Sequence, residues 1–456
     1  MSQRTIIIGA GLAGLAAARA LVDHGHEVVV LEARARTGGR IHTVDGLDLG
    51  AHWIHGTEGN PLSSLARAAG VGTTFVGGDS SYTGGWDALA LYTRTGVAAD
   101  ANEKLHGILA ADQLKDELDA MRREALARGD ADRPLSEAVL ERLLATPRDD
   151  AALRAIDWHF TAFSRDDANA DADELSFLHW DDGYEVYGYG DSVVEGGFEA
   201  LLRPLAKGID VRLSCAVTHI AHGPGVARVT TSAGVFEGAR VLVTLPLGVL
   251  KSGAVTFDPP LPPEKTLAIE RLGVGALTKV VLHYDVPFWP RAQYVFGYLC
   301  RDIASHPTAV VNLWRTHQLP ALVLLLGGRV GREAERWSEA QRQALGVRVV
   351  RDLFGDDAPA PKHVQVTEWA SDPFSLGAYS FVRIGSSPTD IEALAEPVGD
   401  ALLFAGEATS RHHWAAAHGA YVSGLREAAP SSRATRTSCH RATSPRTVAS
   451  VSSRNA

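Results

Sequence analysis

Residues 6–32 constrain the fold of this chain more than any other stretch. Ile6-Ile7-Ile8 is a β-branched apolar run, Gly9-Ala10-Gly11-Leu12-Ala13-Gly14 comes directly after it, and Ala13 to Ala20 is rich in helix formers. Gly25 supplies a stop, and Val28-Val29-Val30-Leu31 then ends on Glu32. A continuous apolar run of this kind reads as a parallel strand buried on both faces. The three glycines permit a tight turn, close approach of the backbone to a pyrophosphate, and packing of the helix on the strand. The helix N-terminus then faces the phosphates. An acid roughly 20 residues past the turn suits a ribose hydroxyl and argues against a 2′-phosphate. The unit is predicted to bind a dinucleotide.

Composition bounds the rest. A chain of 456 residues, 45% of them hydrophobic, buries a large core and is expected to divide into two domains built from interleaved segments. A net charge of −10 leaves no footprint for nucleic acid, whereas a cationic ligand is drawn to an acidic surface. Cys215, Cys300 and Cys439 are odd in number and far apart, which suggests neither a disulfide framework nor a metal site and fits a reducing cytoplasm. No apolar run approaches the roughly 18 residues of a membrane span, and the chain enters its first strand without a leader. Secretion and membrane insertion are not expected.

Further along, Leu105, Ile108, Leu109, Leu114, Leu118 and Met121 recur at helical spacing, as do Leu135, Val139, Leu140 and Leu143, and both stripes read as core. Pro134 stands at the start of the second helix, where a missing N–H costs little. Strands are predicted at 211–213, 226–231, 241–245, 280–284, 309–314, 321–326 and 364–368, with helices within 332–353. The run from Asp166 to Asp173 lacks the glycine of a calcium loop and reads as a surface loop. From Pro430 the chain is Ser, Thr, Ala and Arg without an acid, a composition expected to be a disordered tail.

The segment beginning at Glu32 narrows the ligand. Glu32-Ala33-Arg34-Ala35-Arg36-Thr37-Gly38-Gly39-Arg40-Ile41-His42-Thr43 resembles the second dinucleotide motif of the flavin amine oxidases, and Leu47-Asp48-Leu49-Gly50-Ala51-His52-Trp53-Ile54-His55-Gly56 resembles their polyamine oxidase branch. Similar segments are Glu195-Gly196-Gly197-Phe198, Thr244-Leu245-Pro246-Leu247-Gly248, Thr278-Lys279-Val280, Glu368-Trp369 and Phe404-Ala405-Gly406-Glu407-Ala408-Thr409. The resemblance spans about residues 4–428. It implies an α/β fold in which a Rossmann-like FAD domain (1–70, 190–275 and 385–430) is interleaved with an α+β substrate domain (71–189 and 276–384), ahead of the tail at 431–456.

The same resemblance assigns residues. FAD contacts are expected from Gly9, Gly11, Leu12, Ala13, Gly14, Glu32, Ala33, Arg34, Gly39, Arg40, Gly50, Ala51, His52, Trp53, Val217, Trp369, Gly406, Glu407, Ala416 and Ala417. Lys279 is implied to hold a water against the flavin and to assist reoxidation by oxygen, where a cation stabilises developing negative charge. Only seven of the 44 basic residues are lysines, and this one interrupts an apolar strand pattern. His55 is implied to meet the substrate amine as base or binder, although a histidine in a glycine-bounded turn also serves to satisfy backbone groups. Tyr379 and Trp369 are implied walls of an aromatic cage that favours the neutral amine, with core packing the competing role.

Departures from the pattern carry information too. Ala378 replaces the cysteine that bonds FAD in monoamine oxidases, so the cofactor is expected to be noncovalent, and Ala416 replaces a second cage tyrosine, which widens the site. Trp53, Asp182, Glu185 and Ala416 are taken as substrate-facing, the two acids being equally compatible with a solvated loop. His412-His413 and His418 lack the spacing and partners of metal ligands, and there is no G-x-S-x-G elbow. The expected function is oxidation of a polyamine by FAD and oxygen, giving an imine and hydrogen peroxide. A monoamine or diamine (putrescine) oxidase is the alternative. An L-amino-acid oxidase needs an arginine for the carboxylate, which cannot be placed. A flavin-binding interaction protein without turnover is a more distant reading, and the coiled-coil arm that demethylase relatives use for partners is not seen.

Overall fold

The computed structural model describes residues 4–77, 89–93, 96–299 and 306–429. The basic segment from Pro430, Cys300 and Cys439 lie outside these described residues. Among the described residues no helix is long and apolar enough to cross a membrane.

The fold is α/β. Its central sheet is five-stranded and all parallel, in the order Leu402–Phe404, Arg240–Val243, Thr5–Ile8, Val28–Leu31, Val211–Arg212. Period-two alternation divides its apolar residues between two cores. Ile7, Val30, Leu242 and Leu403 face helix Leu12–Asp23, while Ile6, Ile8, Val29, Leu31, Val241 and Val243 pack on Ile220 and Val229 of an antiparallel meander. That meander joins Gly234–Gly238, Val226–Thr231 and Val217–Gly223, and Thr256–Asp258 adds to its edge in parallel. The first helix therefore starts from the C-terminal edge of a strand buried on both faces, where open α/β sheets place their ligands.

A second, six-stranded sheet runs His363–Val366, Leu277–His283, Ala321–Gly327, Ala309–Asn312, Val295–Tyr298, Leu89–Tyr92. Its strands are buried almost throughout, and Val349, Val350 and Leu353 of helix Glu339–Phe354 join its core. A small antiparallel sheet sets Trp53–His55 and Thr73–Gly77 on either side of Asp191–Val194, so strand pairing crosses the boundary expected at residue 70.

Helices Ala101–Arg128, Leu135–Ala145 and Asp150–Ala162 form the predicted helical region, but their buried faces differ from the leucine stripes. Leu105, Leu109 and Leu140 are 53%, 59% and 57% exposed. The inward residues of the long helix are Gly107, Ala111, Leu114, Leu118 and Ala125, again at helical spacing. Close approach explains the shift: a methyl at Gly107 would stand 2.5 Å from the Ala155 Cβ of the crossing helix, so small residues own the contact and the early leucines turn outward.

The acidic run is also corrected. Phe163–Asp167 is a π-helical turn ending the third helix, Asp166 and Asp171 are buried, and Arg165 binds Asp171 at 2.8 Å. A pairing arginine and a hydroxyl from Thr308 to Asp166 make burial of these acids tolerable, which a list of carboxylates in sequence does not reveal.

Candidate active site

A cavity of about 830 Å³ extends from the glycine turn to the helical region. That volume lies within the range of small-molecule sites. Its walls include Gly9, Gly11, Leu12 and Ala13 from the first turn, Glu32, Ala33 and Arg34 after the second strand, Gly39 and Arg40, Val217, and Gly406. Gly14 is the exception among the expected contacts. It packs beneath the turn, where a methyl would stand 2.0 Å from the Gly9 carbonyl oxygen, so it serves the helix-on-strand contact.

The turn fits a pyrophosphate on its own geometry. At Gly11 an added methyl meets only the Gly38 oxygen, at 3.9 Å, so backbone lies open to the cavity. Gly11 caps a 12-residue helix without a side-chain hydrogen bond, which leaves first-turn N–H groups available to phosphate oxygens. Glu32 is held at the mouth of the turn: its carboxylate accepts from the N–H groups of Ala10 at 2.7 Å and Arg34 at 2.9 Å. Arg34 itself bonds Asp372 and Ser375, at 2.7 and 2.9 Å.

Lys279 projects from the second sheet toward the segment after the Gly38-Gly39 pair. Its side chain is buried, and Nζ donates to the carbonyls of Asp48 at 2.8 Å and Gly50 at 2.7 Å. Burial pulls its pKa down to about 8, against the attraction of Asp48. Two of three N–H groups are thus committed to backbone, and the third is left for a ligand or water. Gly50, Ala51, Trp53 and Trp369 line the same stretch, and the Trp369 indole N–H donates to the Leu49 carbonyl at 3.0 Å. His52 also reaches the wall, held neutral because burial lowers its pKa to about 4, with Nε2 3.1 Å from the Tyr294 hydroxyl.

Glu407 organises the next wall. It binds Arg40 at 3.0 Å, accepts from the Ser380 hydroxyl at 2.6 Å and from the Ala415 N–H at 2.9 Å. These bonds tie together the segments carrying Tyr379 and Trp414, with Ala415 between Trp414 and Ala416 at φ 63°, a conformation costly for a residue with a Cβ. Ala416 and Ala417 line the cavity as expected. So do Trp414 and Tyr184, which sequence reasoning missed, their rings meeting edge-on at 4.9 Å. Tyr379 donates its hydroxyl to the Asp166 carbonyl. Burial raises the pKa of both tyrosines, helped by Asp167, so their hydroxyls stay neutral.

Phe160, Phe163, Asp166, Asp167, Trp180 and Asp112 line the same cavity. The expected acids Asp182 and Glu185 are not among the lining residues. Asp182 turns to His179 Nδ1 at 3.2 Å and Glu185 to His412 Nδ1 at 3.3 Å, both half-exposed, while Asp181, Tyr184 and Val186 of the same segment line the cavity. Asp181 is matched by Arg122, and Asp167, Asp112 and the nearby cation Lys115 line the cavity as well. His55 lines the cavity next to these groups and meets Asp191, its Nδ1 3.3 Å from Oδ1.

Comparison with known proteins agrees with this geometry. A family model described as flavin containing amine oxidoreductase matches residues 12–430. Polyamine oxidase 4 of Oryza sativa subsp. japonica is 36% identical over 440 residues, covering 92% of this chain and 86% of that protein. Lysine-specific histone demethylase 1 homolog 2 of Arabidopsis thaliana is 36% identical over 446 residues, 93% of this chain, but the chain spans only 57% of that relative's length. Protein FLOWERING LOCUS D of Arabidopsis thaliana is 35% identical and is spanned over 54% of its length. A solved structure of putrescine oxidase bound to putrescine superposes with a TM-score of 0.76 at 22% identity, covering 94% of this chain and 98% of that one.

Proposed function

Because this chain belongs to the flavin-containing amine oxidoreductase family, we propose that it is an FAD-dependent polyamine oxidase. When bound, FAD supplies the two-electron acceptor for the carbon beside the reacting nitrogen and passes the electrons to oxygen as hydrogen peroxide. The protein's own part begins with the nitrogen's protonation state, since an ammonium has no lone pair to form an iminium. Tyr379, Tyr184 and Trp414 surround that position with aromatic area, which favours the neutral amine. Lys279 holds a positive charge beside the flavin stretch, where negative charge develops on oxygen. Water then hydrolyses the imine to an aldehyde and an amine.

The observation that carries the substrate class is that one cavity is lined by the glycine turn, Lys279, the aromatic rings and the carboxylates of Asp167 and Asp112. Carboxylates beyond an apolar cage suit a chain with a second ammonium and give a monoamine nothing to bind. A shorter diamine needs only the first of these acids, which keeps putrescine as the second reading. A flavin-binding protein without turnover has no evident use for Lys279, whose burial is costly.

A peroxide-coupled assay on yellow, FAD-loaded protein separates these readings across putrescine, spermidine, spermine, acetylated polyamines and benzylamine. Polyamines should exceed benzylamine in kcat/KM by about tenfold or more, the worth of one added recognition contact. Turnover of monoamines alone would overturn the substrate class, and flavin-loaded protein inert to every amine would favour the binding role.

A further inference from the structure

His55 has a partner that no local motif announces. Strand Trp53–His55 runs antiparallel to Asp191–Val194, and the register sets Asp191 directly opposite His55. Cross-strand neighbours hold their Cβ atoms about 4.5–5.5 Å apart, close enough for short side chains to meet. Asp191 Oδ1 lies 3.3 Å from His55 Nδ1 and also accepts the Gly56 N–H at 3.3 Å. Asp191 is buried, whereas the His55 side chain is 37% exposed and lines the cavity. The carboxylate is thus anchored by its own strand and by the turn after the histidine. With Nδ1 committed to it, Nε2 is the ring nitrogen left for a ligand.

We propose that Asp191 is a positioning residue that holds His55 with its Nδ1–H on the carboxylate, so that Nε2 takes the proton from a bound substrate ammonium before the amine is oxidised. The R₂NH₂⁺ nitrogen gives one proton to Nε2 and becomes the neutral amine. The imidazole becomes an imidazolium opposed by the Asp191 carboxylate. The inference rests on the amine-oxidising reading of the site.

The groups around His55 set the direction of its pH dependence. Burial lowers its pKa, but Asp191 from the neighbouring strand and Asp167 from the π-helical turn outweigh burial and raise it overall. His418, from helix Ala417–Ala428, is pushed down to about 3 by burial and adds no charge near neutrality. Trp53, on the same strand, is uncharged. The proton-accepting form therefore gains with rising pH, and removing the Asp191 charge moves that gain to lower pH.

Two measurements test this. Anaerobic stopped-flow mixing with saturating spermidine tracks flavin bleaching from pH 5.5 to 9. Carbethoxylation of His55 by diethylpyrocarbonate, read by peptide mass spectrometry, tracks the same ring without turnover. In wild type both should rise through one midpoint. Asp191→Asn should move both midpoints to lower pH and cut the bleaching plateau about tenfold to a hundredfold, less than loss of a general base itself because the imidazole remains. An Asp191→Asn protein that is yellow and keeps both wild-type midpoints overturns the proposal. Should that variant fail to bind FAD, His55→Gln decides: loss of the bleaching midpoint supports the proposal, and a wild-type profile overturns it. If no amine bleaches the wild-type flavin, the amine-oxidising reading fails, and the carbethoxylation midpoints still show whether Asp191 controls the ring.

Discussion

Replacing Lys279 by Met tests the centre of the site, because the structure says what the substitution removes and what it leaves. Nζ spends two donors on the Asp48 and Gly50 carbonyls and carries its charge in a buried position. The drop from its usual 10.5 to about 8 corresponds to roughly 3 kcal/mol of unfavourable charge burial near neutral pH. Methionine removes that cost but leaves two carbonyls without donors, at roughly 1–3 kcal/mol each. The two effects largely cancel, so the variant should fold and stay yellow. The oxygen reaction should not survive so well. A unit charge about 4 Å from developing charge is worth on the order of 4 kcal/mol at an effective dielectric of 20, and loss of one preorganised donor costs about 100-fold to 1,000-fold. Reduced enzyme mixed with aerated buffer reports this as the return of flavin absorbance. Wild type should also slow as pH rises through about 8, since the cation is the form present below that pKa, while the Met variant should be slow and insensitive there. Reoxidation of the variant within about threefold of wild type, or a flat wild-type profile through pH 8, would refute the reasoning.

Three other outcomes rest on single contacts. Gly11→Val places a branched side chain in the opening over the first helix, so purified protein should be colourless and stay so in excess FAD, while its circular dichroism is unchanged; a yellow variant would show that the phosphates bind elsewhere. Asp167→Asn should raise KM for spermidine about tenfold and leave benzylamine unchanged, as measured by peroxide release, and an equal effect on both amines would remove Asp167 from recognition. Lys265 is buried beneath the Phe404 ring and donates to the Ala393 and Leu394 carbonyls, its pKa lowered to about 7 by burial. Between that value and its unfolded 10.5 the unfolded chain binds more protons, so thermal stability of wild type relative to Lys265→Met should rise with pH across that window; a difference that falls with pH would contradict the assignment.

Sequence disclosed the parts of this molecule whose physics is local. The strand, glycine turn, helix and Glu32 sit within one short stretch, and their roles come from periodicity and backbone freedom alone. Lys279 was visible because a rare lysine broke an apolar strand, and the strand is there, paired to Ala321–Gly327 on one side and His363–Val366 on the other. The hidden features depend on contacts distant in sequence. Asp191 meets His55 only through sheet register, Trp414 reaches the wall only because Glu407 holds Ala415, and Gly107 claims a core face from leucines because another helix crosses there. Asp182 and Glu185 were named in place of Asp181 and Tyr184 because the partners that draw the two acids away, His179 and His412, are fixed by the folded turn and by a segment more than 200 residues distant.

The site's chemistry lies at the seam between two sheets, and this explains why its residues cannot be assigned to either one alone. The parallel sheet presents the glycine turn and Glu32 because its strands end together and its first helix begins at that edge. The six-stranded sheet contributes Lys279, whose ammonium is held by carbonyls of the segment at 48–50, which follows the Gly38-Gly39 pair in the chain. Trp369 crosses in the same direction to the carbonyl of Leu49. One three-residue backbone stretch therefore receives two bonds from Lys279 of the second sheet and one from Trp369 in the turn after its edge strand, so the distance between the cofactor groove and the lysine is fixed by hydrogen bonds. A change that displaced this stretch, such as a side chain at Gly50 where a methyl would lie 1.7 Å from the Arg40 oxygen, should disturb FAD binding and the lysine together. Measured on Gly50→Ala, loss of bound flavin and loss of oxygen reactivity should appear as one event, and a variant with full flavin content and wild-type reoxidation would show that the seam is not rigid.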